Sequence, residues 1–142
     1  MIGVGVVARD AEGKTLWCAS VKLGIKLEPK LTESKAILIG MELAAEMGHD
    51  RVVFESDCEP VVCAIKKKAP GCSSFHLLLD DIVVATNRFS DCSWSWIHRD
   101  GNKVAHELAH VPPLVLGRKI WYSDFPDFLC NLLNSDLQLN VN

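Results

Sequence analysis

The chain has 142 residues, of which 49% are hydrophobic and 23% charged, with a net charge of −3 and a pI near 5.9. That length suits one domain with a real core, and the composition is that of a soluble globular protein, which excludes a disordered chain. No global basic field recruits nucleic acid, so any such binding must use a local patch; no apolar run approaches the roughly 20 residues of a membrane span, and Met1-Ile2-Gly3-Val4 lacks the charged start of a signal peptide, so the expected location is intracellular, with nucleus and cytoplasm left open.

Val4 to Arg9 reads as a β-branched strand, Asp10-Ala11-Glu12-Gly13 as a turn, and Thr15 to Leu23 as a second strand, together a hairpin. A loop through Pro29 leads to a helix from about Leu31 to Met47, stopped by Gly48. Its apolar stripe runs Ile37, Gly40, Met41, Ala44, and Glu33 lies on that stripe one turn earlier. A carboxylate on a packing face is costly unless it has a partner or a job. In Arg51 to Asp57, the unalternating Val52, Val53 and Phe54 predict a strand buried on both faces. Glu55, Ser56 and Asp57 then arrive where the strand ends, and Pro60 fits the first turn of a helix from Glu59 to Lys67. Asp57 is thus placed at the carboxyl end of a strand, the edge where open α/β sheets bind ligands.

After a break at Ala69-Pro70-Gly71, Ser74 to Arg88 predicts a helix with Leu78, Ile82 and Ala85 on one face. Asp91 to His98 alternates, with Trp94, Trp96 and His98 pointing one way. Arg99 to Asn102 forms a turn, and a last helix from Lys103 to about His110 halts before Pro112-Pro113; farther on, Phe128, Leu129, Leu132 and Leu133 have helical spacing. The order strand, strand, helix, strand, helix, helix, strand, helix is a mixed α/β layer architecture. Six cysteines, at Cys18, Cys58, Cys63, Cys72, Cys92 and Cys130, show no C-x-x-C spacing and read as buried reduced thiols.

Four pieces stand in a telling order: Gly3-Val4-Gly5-Val6-Val7-Ala8-Arg9-Asp10 with Gly13; Thr32-Glu33; Phe54-Glu55-Ser56-Asp57; and Arg99 to Asn102 followed by Val104-Ala105-His106-Glu107-Leu108-Ala109. In these the chain resembles the plant-type ribonuclease H-like domain related to the ribonuclease H of reverse transcriptases. The resemblance covers residues 3–110 and leaves 111–142 as a carboxyl-terminal extension with a short apolar helix. It implies a ribonuclease H-like α/β fold, a mixed sheet flanked by helices, and Mg²⁺-dependent endonucleolytic cleavage of RNA in RNA–DNA hybrids, with Mn²⁺ as a substitute ion. In that chemistry two ions about 3.5–4 Å apart, clamped by carboxylates, activate a water and stabilise the leaving oxygen. By position the resemblance assigns Glu33 and Asp57 as catalytic metal ligands. His106 falls where nuclease members usually carry the last aspartate, near the metal or acting in product release. Arg99, Asn102 and Lys103 are the implied substrate contacts, and an RNA–DNA hybrid or RNA the implied partner.

The family begins with a strand ending in its first catalytic aspartate, and this sequence starts after it. That strand is central in the family's sheet, so two pairing edges are expected to lack partners, at a cost of about 1–3 kcal/mol for each unpaired buried group. Three readings stand: a truncated gene model, a shortened protein whose sheet re-pairs, and a sheet completed by the alternating tail Leu137 to Asn142. Only Glu33 and Asp57 remain of four carboxylates, and imidazole prefers softer metals than Mg²⁺. The expectation is a weak or dead nuclease, with a catalytically inactive nucleic-acid-binding or interaction module derived from a retroelement as the competing class.

His106-Glu107-Leu108-Ala109-His110 also matches the zinc-protease pattern H-E-x-x-H. Against that reading, prolines end the helix at once and no downstream glutamate is available as a ligand. Lys66-Lys67-Lys68 suits phosphate contact but equally a solvated helix end. Trp94 and Trp96 suit base stacking, yet their alternation on a strand beside a helix favours core. Asp100 has turn chemistry, and Glu55 sits on the Asp57 face of its strand. The spatial expectation behind the whole reading is that Glu33 and Asp57 meet.

Overall fold

The computed structural model describes residues 1–68, 70–110, 116–122, 125 and 127. Its elements are β1 (Ile2–Arg9), β2 (Thr15–Leu23), α1 (Pro29–Glu46), β3 (Arg51–Ser56), α2 (Glu59–Lys67), α3 (Ser74–Ala85), β4 (Asp91–Trp96), α4 (Lys103–Ala109) and β5 (Gly117–Trp121), with 3-10 turns at Thr86–Arg88 and Arg99–Asn102. They fall into two units, one of Met1–Lys26 with Arg99–Asn142 and one of Leu27–His98.

In the first unit the hairpin is made by its turn. Asp10 Oδ1 accepts hydrogen bonds from the amides of Glu12 and Lys14, each at 2.9 Å, and Gly13 takes the left-handed φ of 85° that closes the turn without a Cβ penalty. β1 and β2 pair antiparallel from Ile2 opposite Leu23 to Arg9 opposite Thr15, with a register shift at Ala8/Arg9. β5 pairs antiparallel with the other edge of β2, giving the order β1-β2-β5. α4 buries Val104 and Leu108 against Cys18, with Val7, Trp121 and Phe125 around them. Its backbone comes so close to β1 that a Cβ on Gly3 or Gly5 would collide with the carbonyls of Ala109 and Ala105. The buried Lys22 ammonium donates to the Ala109 carbonyl at the carboxyl end of α4, where a cation also suits the helix dipole. Burial lowers the Lys22 pKa from 10.5.

In the second unit Pro29 is not the end of a loop but the first turn of α1, where proline's missing N–H has no helical partner to lose. Leu38 and Met41 of α1, Val61 and Ile65 of α2, and Leu79 and Ile82 of α3 form the core. β3 and β4 run parallel, from Arg51 opposite Asp91 to Ser56 opposite Trp96, joined by the helical crossover that parallel strands require. β3 is not buried on both faces: Phe54 packs against the helical core while Val53 is 60% exposed. Its apolar run is a half-buried strand with an apolar residue on the open face. α3 ends at Ala85, a 3-10 turn completes the predicted span to Arg88, and β4 ends at Trp96 rather than His98.

The described strands therefore contain both antiparallel and parallel pairing, in two separately hydrogen-bonded sheets. Among the described residues β1 and β3 each have a strand on one side only, which are the two edges expected to lack a partner. Of the described cysteines, all free, Cys18 is buried, Cys58 and Cys92 are half-buried, and Cys63 and Cys72 are exposed, so burial does not hold for all of them. The apolar helix expected at Phe128 to Leu133 and the Leu137–Asn142 tail lie outside the described residues. Among those residues no helix is long and apolar enough to cross a membrane.

Candidate functional site

Asp57 follows the last residue of β3, and the backbone there is held from several directions. The Ser56 hydroxyl accepts from the Cys58 amide at 3.2 Å, the Ser56 carbonyl accepts from the Ile97 amide at 3.0 Å, and the Asp57 carbonyl accepts from the Trp96 indole N–H at 3.1 Å. Cys58 caps α2, its carbonyl receiving the Val62 amide at 3.1 Å. The chain thus changes from strand to helix within two residues, and the Asp57 carboxylate leaves from a fixed corner.

Glu33 lies on α1, in the same unit as Asp57. Its half-buried position near the amino end of the helix is secured by Thr32, whose amide donates to the Glu28 carbonyl at 2.8 Å, and by Ser34, whose buried hydroxyl returns to the Lys30 carbonyl at 2.9 Å. The charges of both acids are felt at the Cys58 thiol. Burial raises its pKa above 9.0, the Val61 amide opposes this, the negative charges of Glu33 and Asp57 raise it further, and the Lys30 cation lowers it. Carboxylates from two separate elements thus bear on one sulfur, and the Lys30 ammonium lies 3.9 Å from the centre of the Phe75 ring.

Trp96 and His98 complete this rim. Sequence alternation favoured core for both tryptophans, and the structure separates them. Trp94 stacks on Phe54, ring centres 5.1 Å apart, whereas Trp96 is 40% exposed with its ring 4.8 Å from that of His98. The signal that distinguishes them is position: Trp96 is the last residue of its strand, beyond the reach of the helices that cover Trp94.

The remaining candidates belong to the other unit. Arg99 and Asn102 bound a 3-10 turn, Lys103 begins α4, and His106 lies exposed on that helix. The His106 ring is 4.7 Å from that of His110, whose Nδ1 lies 2.8 Å from the His106 carbonyl. Among the described residues no group of three or more His, Cys, Asp or Glu side chains is placed to hold a metal ion. That applies to the H-E-x-x-H stretch as well.

Residues 2–111 match the family model described as reverse transcriptase-like. The chain belongs to that family. Two solved structures are similar to this reverse transcriptase-like domain. One is RNase H1 from the halophilic archaeon Halobacterium salinarum NRC-1, with a TM-score of 0.70 and 21% identity, covering 76% of this chain and 82% of that one. The other is the amino-terminal RNase H domain of Rv2228c from Mycobacterium tuberculosis, solved as a fusion with maltose-binding protein, with a TM-score of 0.67 and 20% identity, covering 76% and 78%. At these identities the likeness establishes the ribonuclease H fold. No curated protein matches the chain.

Proposed function

We propose that this reverse transcriptase-like domain binds RNA–DNA hybrid or RNA inside the cell through one divalent-ion pole made by Glu33 and Asp57, and that the family's Mg²⁺-dependent cleavage is impaired in it. The observation that supports the reading is that Glu33 on α1 and Asp57 at the end of β3 both bear electrostatically on the Cys58 thiol. Magnesium takes hard oxygen ligands and is commonly held by one or two carboxylates together with substrate phosphates. The donor set fits one such ion. The resemblance leaves two carboxylates of four, fewer than a clamped pair of ions takes.

When bound, the ion supplies positive charge to which a phosphodiester can be drawn. Glu33 and Asp57 orient that charge, and the hydrogen bonds at Ser56 and Asp57 keep the strand end from relaxing. Arg99 and Lys103 offer cations for backbone phosphates and Asn102 an amide, contacts that position without reading sequence. The impaired reading comes from ligand chemistry: the resemblance puts the softer imidazole of His106 where the family carries its last aspartate, so the hard oxygen ligand expected there is missing. Binding without turnover also suits a module of retroelement origin, a derivation that the family match supports.

A gel assay on labelled RNA–DNA hybrid with Mg²⁺ or Mn²⁺, run beside calorimetric Mn²⁺ titration, tests both halves. Expected are hybrid retention with little cleavage, and Mn²⁺ binding lost in Glu33→Gln and in Asp57→Asn. Robust cleavage abolished by Asp57→Asn overturns the impairment, and no retention of hybrid overturns the nucleic-acid reading.

A further inference from the structure

The carboxyl end of β4 presents an aromatic surface that the core does not need. Trp94 fills the packing role, stacked on Phe54, which meets Phe89 edge-on at 5.6 Å. Two residues later Trp96 leaves 40% of its surface to solvent, where an indole gains no burial energy. Its single donor is used: the N–H bonds the Asp57 carbonyl at 3.1 Å. That bond fixes the ring edge against the backbone of the residue that carries one of the two site carboxylates. What remains on offer is a π-surface, flanked by the exposed His98 ring at 4.8 Å and 58°.

A flat apolar face anchored beside a pole for phosphate suits a ligand that is planar and aromatic at one end and anionic at the other. A nucleotide has both features. In a duplex each base already has neighbours on both faces, so a protein ring can stack only on an unpaired or terminal base.

We propose that Trp96, flanked by His98, is a stacking platform for an unpaired base next to the nucleotide held at Glu33 and Asp57. The preferred ligand is therefore a junction where single strand meets hybrid, rather than blunt hybrid. This rests on the nucleic-acid reading above and adds to it a substrate feature.

Fluorescence anisotropy of labelled hybrids, blunt or with a single-stranded overhang, tests the platform at fixed salt and Mg²⁺. The overhang is expected to improve binding by about tenfold, within the range for stacking one base on an aromatic ring. Trp96→Ala removes that gain, while Trp96→Phe, which keeps a ring and loses the N–H, retains most of it. In the wild type a short single-stranded oligonucleotide quenches indole fluorescence, and Trp96→Phe removes that quenching. Equal binding of both hybrids by the wild type, or an overhang preference that survives in Trp96→Ala, overturns the platform alone. Loss of the preference in Trp96→Phe as fully as in Trp96→Ala assigns the effect to the Asp57 hydrogen bond and also overturns it. A wild type that binds neither hybrid overturns this inference together with the function on which it rests.

Discussion

At the scale of single residues, two side chains show how little is needed to align the strands that carry the site. Asp50, just before β3, takes the Ser90 hydroxyl at 2.5 Å on one carboxylate oxygen and the Ser90 amide at 3.1 Å on the other, so the starts of β3 and β4 are tied together. Those bonds, the hydroxyl first and the amide second, hold the Asp50 pKa below 3.8. A depressed carboxylate contributes stability that is complete above its unfolded value and lost as pH falls through the folded one. Asp50→Asn is therefore expected to melt slightly below the wild type at neutral pH, with the gap closing as the medium is taken below 3.8. The effect is small because the group is exposed and screened; thermal melts across the acid range check it, and a gap that widens in acid refutes the tie. Cysteine reactivity makes a second prediction. Burial pushes the Cys18 thiol up to about 11, whereas Cys63 and Cys72 are exposed. Since the thiolate is the reacting species, a disulfide reagent at pH 8 should modify Cys63 and Cys72 in the native protein and Cys18 only after denaturation, read site by site by peptide mass spectrometry.

At the scale of elements, close approach of backbone to backbone decides which glycines cannot change. Gly5 on β1 lies under the Ala105 carbonyl of α4, so a methyl there has no flexible neighbour to displace. Gly48, after α1, has open space around its Cβ direction and only a φ of 80° to defend. Gly5→Ala should cost about 1–3 kcal/mol or more by overpacking, and Gly48→Ala about 1–2 kcal/mol from the left-handed backbone alone; urea unfolding midpoints compare them. The same contrast explains what the sequence made legible. β2 and α2 were placed correctly to the residue because their signals are local, a turn with glycine at its end just before the strand and a proline at the helix start. β5 was missed: Gly117-Arg118-Lys119-Ile120-Trp121 has no alternation, and the edge of β2 makes it a strand. The two-faced burial expected of β3 failed for the converse reason, since Val52-Val53-Phe54 reads as doubly covered wherever the covering layers are, and one face here is open. Of the candidate site, the resemblance supplied Glu33 and Asp57, from a helix and from a strand end of one unit. The exposure of Trp96 was not, because alternation says which side a residue faces and nothing about where the cover stops.

At the scale of the whole molecule, the two units differ in how the chain closes them. Leu27–His98 is one continuous stretch, and its core joins helices adjacent in sequence. The other unit joins the amino-terminal hairpin to α4 and β5, so Gly3 and Gly5 must wait for Ala109 and Ala105 from the far end of the chain. Loop-closure entropy must be overcome before such distant contacts contribute, which slows their formation relative to local ones. Glu33, Asp57 and Trp96 all lie in the continuous stretch, whereas Arg99, Asn102, Lys103 and His106 lie in the other. Residues 27–98 expressed alone should therefore show helical circular dichroism and a cooperative urea transition. They should also keep the Mn²⁺ affinity of the full chain while losing most of its salt-dependent affinity for hybrid, because the cations at Arg99 and Lys103 are gone and each lost phosphate contact flattens the salt dependence. A fragment that unfolds without cooperativity sinks the claim of an independent core. A folded fragment without Mn²⁺ binding instead removes Glu33 and Asp57 as a sufficient ion pole, and a folded fragment with undiminished hybrid affinity removes Arg99 and Lys103 as phosphate contacts.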